Sequence, residues 1–184
     1  MQEIKNPSTI LIAERTEAAV GTIVTSSIEG TRALMVELQA LTSQSVFGMP
    51  RRTANGTDYN RLTLLIAVLE KKAKLMLGSQ DVYLNIAGGI KINEPGVDLA
   101  IVLAVASSFK NIPIPLDCLA IGEVGLTGEV RSVSQIEKRI KEAENLGFKT
   151  CIIPENNKKL LKEKYKLDII GVQNITDAMK HLKM

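Results

Sequence analysis

Tryptophan is absent from the 184 residues, aromatic residues make up only 3%, and His181 is the single histidine. A core has to come from Ile, Leu, Val and Ala, and stacking platforms for single-stranded nucleic acid lack their raw material. Cys118 and Cys151 are the only cysteines and no C-x-x-C occurs. Neither a zinc site nor a disulfide framework has its ligands or spacing, which predicts a reducing, cytoplasmic setting. No G-x-x-x-x-G-K-[ST] is present, so nucleotide hydrolysis through a P-loop is not expected of this chain. The polar start M-Q-E-I-K-N-P-S is no signal peptide, and no apolar run reaches the roughly 18 residues of a membrane span. A soluble protein is expected.

What is present suits one domain over residues 1–184, with no repeat, low-complexity tract or dividing linker. Hydrophobic residues reach 45%, and 23 Lys plus Arg against 20 Asp plus Glu leave a net charge of +3. So mild an excess matters only if the cations gather on one face.

Along the chain, Thr9 to Ala13 reads as a short edge strand, and Val20 to Ile28 with Ala33 to Leu41 as a hairpin turned by Gly30. In the second arm Leu34, Val36, Leu38 and Ala40 make one face apolar, while the other is mixed. Ser43 to Thr57 is predicted to be a long loop, and such loops often carry function. A helix over Tyr59 to Leu77 is capped by Thr57 or Asp58 and ended by Gly78, and Val82 to Ile86 is a strand. Leu116 to Gly122 is a buried strand, and G-L-T-G-E-V-R turns into another. Ser134 and Glu137 fit a capping box for a helix to about Leu146. Strands at Thr150–Ile153 and Ile169–Val172 alternate with helices at Glu155–Lys166 and Thr176–Lys183, the crossover pattern of an α/β layer.

The stretch from Asn85 to Phe109 organises the rest: a strand, the turn Ala87-Gly88-Gly89, a loop, and a helix apolar around its circumference with Pro95 at its front. Asp98 in its first turn suits the helix dipole. A helix start of this kind offers unpaired amides where an enzyme can place a nucleophile or hold an anion. The two glycines read better as a strand-ending turn than as a phosphate cradle. Ser107 and Ser108 stand three turns along, at the far end of the helix.

The runs F-G-M-P-R-R, D-Y-N-R-L, L-G-S-Q-D-V-Y-L-N-I-A-G-G-I-K-I-N-E-P and G-E-V-G-L-T-G-E-V-R-S-V resemble the C-terminal Lon-protease-like domain of the bacterial RadA (Sms) family, over nearly the whole chain. The resemblance implies an α/β (α+β) fold of the ribosomal protein S5 domain 2-like type, an N-terminal β-hairpin followed by β-α-β crossovers. It also implies DNA repair and recombination as the setting, with a zinc motif and an ATPase domain, using ATP and Mg, ahead of residues 1 to about 15 as linker. No cofactor or metal is expected in this chain itself. Lon-type proteases place a Ser at the head of the equivalent helix and a Lys at the start of the helix after T-G-E. Here the matching positions are Gly96 and Glu137. With neither nucleophile nor base, the expectation is no enzyme activity.

Arg32, Arg51, Arg52, Lys91 and Arg131 fall in turns, loops or their edges, and Arg61 in a helix start. Each alone reads as a solvated charge. Together they are the expected grip on double-stranded DNA phosphates, and the family implies a homo-oligomeric ring, hexameric by analogy, working with recombination proteins. A pure oligomerisation module and a residual serine peptidase are the alternatives. Lys138, Arg139, Lys141 and the lysines at 158–166, interspersed with Glu137, Glu142, Glu144 and Glu163, read as solvated helix faces.

Overall fold

A computed structural model describes residues 6–15 and 17–184. Helix α1 spans Pro7–Ile12, and strands β1 (Thr22–Glu29) and β2 (Arg32–Gln44) form the hairpin. Strand β3 (Arg52–Asn55), helix α2 (Tyr59–Lys72) and strand β4 (Gln80–Ile86) follow. The apolar helix is α3, Asp98–Lys110. Beyond it come β5 (Cys118–Ala120), β6 (Glu123–Val124), β7 (Val130–Arg131) and α4 (Ile136–Asn145). The chain closes with β8 (Thr150–Pro154), α5 (Glu155–Lys159), β9 (Asp168–Val172) and α6 (Ile175–His181).

Seven strands make one sheet in the order β3-β4-β2-β1-β5-β8-β9, and β6 with β7 is a separate ribbon. Only β2 runs against the others: it is antiparallel to β1 and β4, while the remaining pairs are parallel. The expected crossovers and hairpin are therefore present in a mixed α/β layer. Gly30, at φ 61°, turns the hairpin in a conformation that costs other residues more.

Two cores lie on opposite faces of the sheet. Ile23, Val36, Leu38, Leu84 and Ile86 pack with α2, α3 and α6 on one side. Val24, Met35, Leu119 and Ile153 pack with Ile136, Ile140 and Ala143 of α4 on the other. Alternation along β1 and β2 fixes this split, because neighbouring side chains point to opposite faces. Helix α3 is buried at every position from Asp98 to Ser107, as its unbroken apolar run requires. Cys118 and Cys151 are free thiols in different cores, and burial pushes Cys118 up to about 12 and Cys151 higher still.

Several local expectations change. Thr9–Ala13 is not an edge strand; Pro7–Ile12 is a helix, with Pro7 in its first turn and the Asn6 side chain accepting from the Ser8 amide. Asn-Pro-Ser is a helix-start signal, and it outweighs the β-branched residues behind it. The Ser43–Thr57 segment is not all loop, since it contains β3, paired in register with β4. Helix α2 stops at Lys72, where Lys74 at φ 59° leaves the helix, and Gly78 sits in a short 3-10 turn instead. Asp58, not Thr57, caps α2 by accepting from the Arg61 amide.

The expected capping box of α4 does not form. Gln135 at φ 54° holds the cap position without a side-chain bond, and Glu137 Oε1 accepts from the Lys162 amide at 3.2 Å. The helix expected through Lys166 ends at Lys159. Of the segment expected as linker, residues 1–5 lie outside the described residues, while Ser8 in α1 is buried and accepts from the Met35 amide at 3.0 Å.

Candidate functional site

Six strands point the same way, so their carboxyl ends share one edge of the sheet, the edge where open α/β sheets assemble sites. The head of α3 sits there. The Gly122 amide, just past β5, donates to the Gly96 carbonyl at 2.8 Å, and the Leu99 amide donates to Gly122 at 3.0 Å. The β5–β6 connection thus takes up part of the helix head's bonding capacity.

Two acids flank Gly96, each two residues away, and each is bound by an arginine from a different helix. Glu94 Oε2 lies 2.6 Å from Nη2 of Arg139, whose side chain is 0% exposed. Arg139 also donates to the Ser26 carbonyl at 2.6 Å and to the Ser134 carbonyl at 3.1 Å. Glu94 Oε1 accepts from the Ile28 amide at 2.9 Å, so this carboxylate ties the loop to β1 as well as to α4. On the other side Asp98, 1% exposed, receives Nε of Arg61 at 2.9 Å and its Nη2 in a two-pronged pair. The Val124 amide donates to Asp98 at 3.0 Å, and the Val124 carbonyl accepts from Arg61 at 3.0 Å.

The electrostatics of the two acids differ. Burial raises the affinity of Glu94 for a proton, but the hydrogen bonds and charge of Arg139, with the Ile28 amide and Ser27, outweigh it and hold the group below its ordinary value. For Asp98 burial wins, and its carboxyl stands above the ordinary value despite Arg61 and the Val124 amide. The hydrogen bond to Asp98 in turn holds Arg61 more firmly protonated.

A cleft of about 350 Å³ opens over this point, lined by Asp58, Arg61, Asn93, Glu94, Pro95 and Asp98 among others. A Cβ placed on Gly96 would lie 3.5 Å from both Arg139 Nη1 and Glu94 Oε2, and 3.4 Å from Val133. The α4 side chain nearest this glycine's missing Cβ is therefore Arg139, an ion-paired cation with no proton-accepting capacity. Ser107 and Ser108 do not face the cleft. Ser107 Oγ accepts from the Gly21 amide at 2.8 Å and donates to the Ile112 carbonyl, while Ser108 Oγ accepts from the Thr42 amide.

Sequence reasoning placed Arg139 among solvated charges, whereas it is wholly buried. The available signal was its place on the stripe Ile136, Arg139, Ile140, Ala143, an arginine set into an apolar helix face. Glu94 carried no signal of its own. Of the cations expected to meet DNA, Arg32, Arg61, Lys91 and Arg131 follow the carboxyl ends of β1, β3, β4 and β5 respectively, with Arg131 paired to Glu123 in the ribbon. Arg51 and Arg52 stand at the opposite edge, beside the start of β4. Arg32, Arg51, Lys91 and Arg131 are exposed. Arg52 is drawn into the fold, donating to the Leu77 carbonyl at 2.9 Å and also to that of Gln80. Among the described residues no three His, Cys, Asp or Glu side chains gather to hold a metal, and no helix is long and apolar enough to cross a membrane.

The chain is 52% identical to DNA repair protein RadA of Bacillus subtilis over 181 residues, covering 98% of this chain and 39% of that protein. Identity is 49% to DNA repair protein RadA of Listeria monocytogenes, over 97% of this chain and 39% of the relative. It is 44% to that of Streptococcus pneumoniae, over 97% and 42%. The chain thus spans about two fifths of the length of these curated relatives. A family match covers residues 36–157, from within β2 to the first turn of α5, and takes in Arg61, Glu94, Asp98 and Arg139. Since that match spans well over half of the sequence, the chain belongs to the family described as subunit ChlI of Mg-chelatase.

Proposed function

We propose that this chain is a non-catalytic, Lon-protease-like scaffold domain of a DNA repair and recombination ATPase, which forms a homo-oligomeric ring, hexameric by resemblance, and binds double-stranded DNA largely independently of sequence. The observation that carries the non-catalytic reading is the filled helix head, where Gly96 offers no nucleophile and Arg139 stands beside it paired to Glu94. The DNA repair setting rests on the likeness to proteins named DNA repair protein RadA. ATP, Mg and zinc belong, on this reading, to parts of the whole protein outside this chain, and recombination proteins are its partners in the cytoplasm.

Contact with DNA falls to Arg32, Arg51, Lys91 and Arg131, whose charges face solvent. Arg61, with 31% of its side chain exposed, and Arg52 shape the surface first through their internal bonds. Phosphate contact releases counterions, so affinity falls steeply with salt. The test is fluorescence anisotropy with labelled duplex. The triple reversal Arg51→Glu, Lys91→Glu, Arg131→Glu is expected to weaken binding at low salt by at least tenfold and to flatten the salt dependence. Unchanged affinity would remove the DNA role from these residues.

The second reading, a pure assembly module for ATPase domains with no DNA contact, is favoured by the apolar side chains at 46–49, three of which stand more than 80% exposed. A ring without duplex affinity would select it. A peptidase using Ser107 is the least supported, because that hydroxyl is fully buried and bonded at both ends.

A further inference from the structure

Helix α1 and the residues after it to Arg15 lie across a gap in the sheet. Strand β2 pairs with β4 only from Leu38 onward, which leaves its stretch from Arg32 to Glu37 without a strand on that side. The Ala40 amide bonds to Gly21 beside β1, so by the alternation of an antiparallel ladder the Met35 amide points the other way, out of the open edge. Ser8 Oγ meets it there at 3.0 Å. An uncovered edge of this kind is a template for a foreign strand, and a helix laid over it blocks that pairing.

The cover is held by polar fasteners more than by packing. Asn6 Nδ2 donates to Glu142 Oε1 on α4 at 2.7 Å. At the other end Arg15 Nε lies 2.6 Å from Glu37 Oε2, and Arg15 Nη1 donates to the Leu116 carbonyl at 3.0 Å. Between them the apolar side chains that reach the cores are Leu11 and Ile12, both half-buried, while Ile10 stands 60% exposed. A cleft of about 680 Å³ lies beside Asn6 and Pro7, and another of about 200 Å³ beside Ile12 and Arg15. A helix of six residues does not stand without outside support, so 6–15 has the construction of a segment that opens more easily than the whole fold.

Its contacts straddle the ion pair beside Gly96. A Cβ placed on Gly88 would stand 2.5 Å from Leu11 Cδ2, so this side chain rests directly on the turn Ala87–Gly89 that leads to Lys91 and Glu94. Glu142 lies one turn beyond Arg139, the partner of Glu94. We propose that residues 6–15 are a latch that opens as one unit and that, docked, holds the Ala87–Gly89 turn in place and with it Lys91. Tension on the chain ahead of Asn6 acts on these fasteners before it reaches the sheet. The consequence for duplex binding rests on the proposed function, whereas the opening itself does not.

Native-state hydrogen exchange on the whole chain, read residue by residue by NMR, tests the latch. Two variants loosen it without touching the turn: Leu11→Ala, and Arg15→Gln combined with Glu37→Gln so that neither charge is stranded. Two amides report, Met35 under Ser8 and Ile92, which donates to the Gly56 carbonyl at 2.8 Å. In both variants exchange is expected to quicken about tenfold at Met35 and about threefold at Ile92, with the α3 amides from Ile101 to Ala106 unchanged. Faster exchange at Met35 alone would overturn the hold on the turn. Acceleration that reaches α3 by the same factor would overturn the latch as a separate unit. Duplex affinity of the loosened variants should fall roughly two- to fivefold, a difference that Lys91→Gln should abolish. A loosened turn with unchanged affinity would overturn the link to Lys91. A parent chain without duplex affinity would overturn the DNA reading and leave the exchange rates to decide the latch.

Discussion

The two ion pairs beside Gly96 look alike in sequence, an acid two residues before it and one two residues after it, yet they are opposite in construction. In the first the cation is buried, Arg139 at 0% exposure against 27% for Glu94. In the second the anion is buried, Asp98 at 1% against 31% for Arg61. The member left without water is the one whose partner cannot be removed cheaply. Arg139 is also bound to two carbonyls of the scaffold, so it joins α4 to β1, whereas Arg61 joins α2 to α3 and the β6 ribbon.

Replacing Arg139 by Met should be the most damaging change, at about 3–5 kcal/mol in chemical denaturation, because it empties a fully buried site and frees two carbonyls together with Glu94. Arg61→Met should cost nearly as much, about 3 kcal/mol, since it strands the buried Asp98 carboxylate and the Val124 carbonyl. Its loss should also depend on pH. The Asp98 carboxyl already stands above its ordinary value of 3.8, and without Arg61 it rises further. A raised carboxyl disfavours the fold as pH climbs through the folded value, so the variant should trail the parent more at pH 7 than at pH 4.

Glu94 gives the opposite sign. Its value is held below 4.5, so its contribution is full above that pH and is lost as pH falls through the lower folded value. Urea midpoints from pH 6 to pH 3 should therefore decline less in Glu94→Gln than in the parent. The smallest effect is expected for Gly96→Ser. Nothing lies closer than 3.4 Å to the added Cβ and the backbone needs no left-handed turn, so the change should stay within about 1 kcal/mol. It should release no peptide bond cleavage in a casein assay, because Arg139 beside it cannot take the hydroxyl proton.

Much of this architecture was legible. The alternation Leu34, Val36, Leu38, Ala40 fixed which side of β2 faces α3, and the apolar run from Leu99 to Ala106 announced a helix covered all round. Gly30 marked the hairpin because glycine adopts its left-handed backbone at the least cost. Less was legible where a contact spans the chain. Arg139 and Glu94 are 45 residues apart, and local composition gives each of them a place in solvent. The same holds for β3, whose four residues become a strand by pairing with β4 and carry no periodic signal. At α4 the S-x-x-E pattern was present, but Gln135 took the cap and Glu137 turned to Lys162.

Strand β2 runs alone against six others, and this bears on how the chain finds its fold. In the seven-stranded sheet β1 and β2 are the one pair joined by a tight turn; every parallel partner waits for a crossover to close, and β4 waits for β3 and α2. Closing two residues costs far less chain entropy than closing a helical connection. The hairpin is therefore the natural first template, offering one edge to β4 and the other to β5, so that errors in its register would be copied outward into both halves of the sheet.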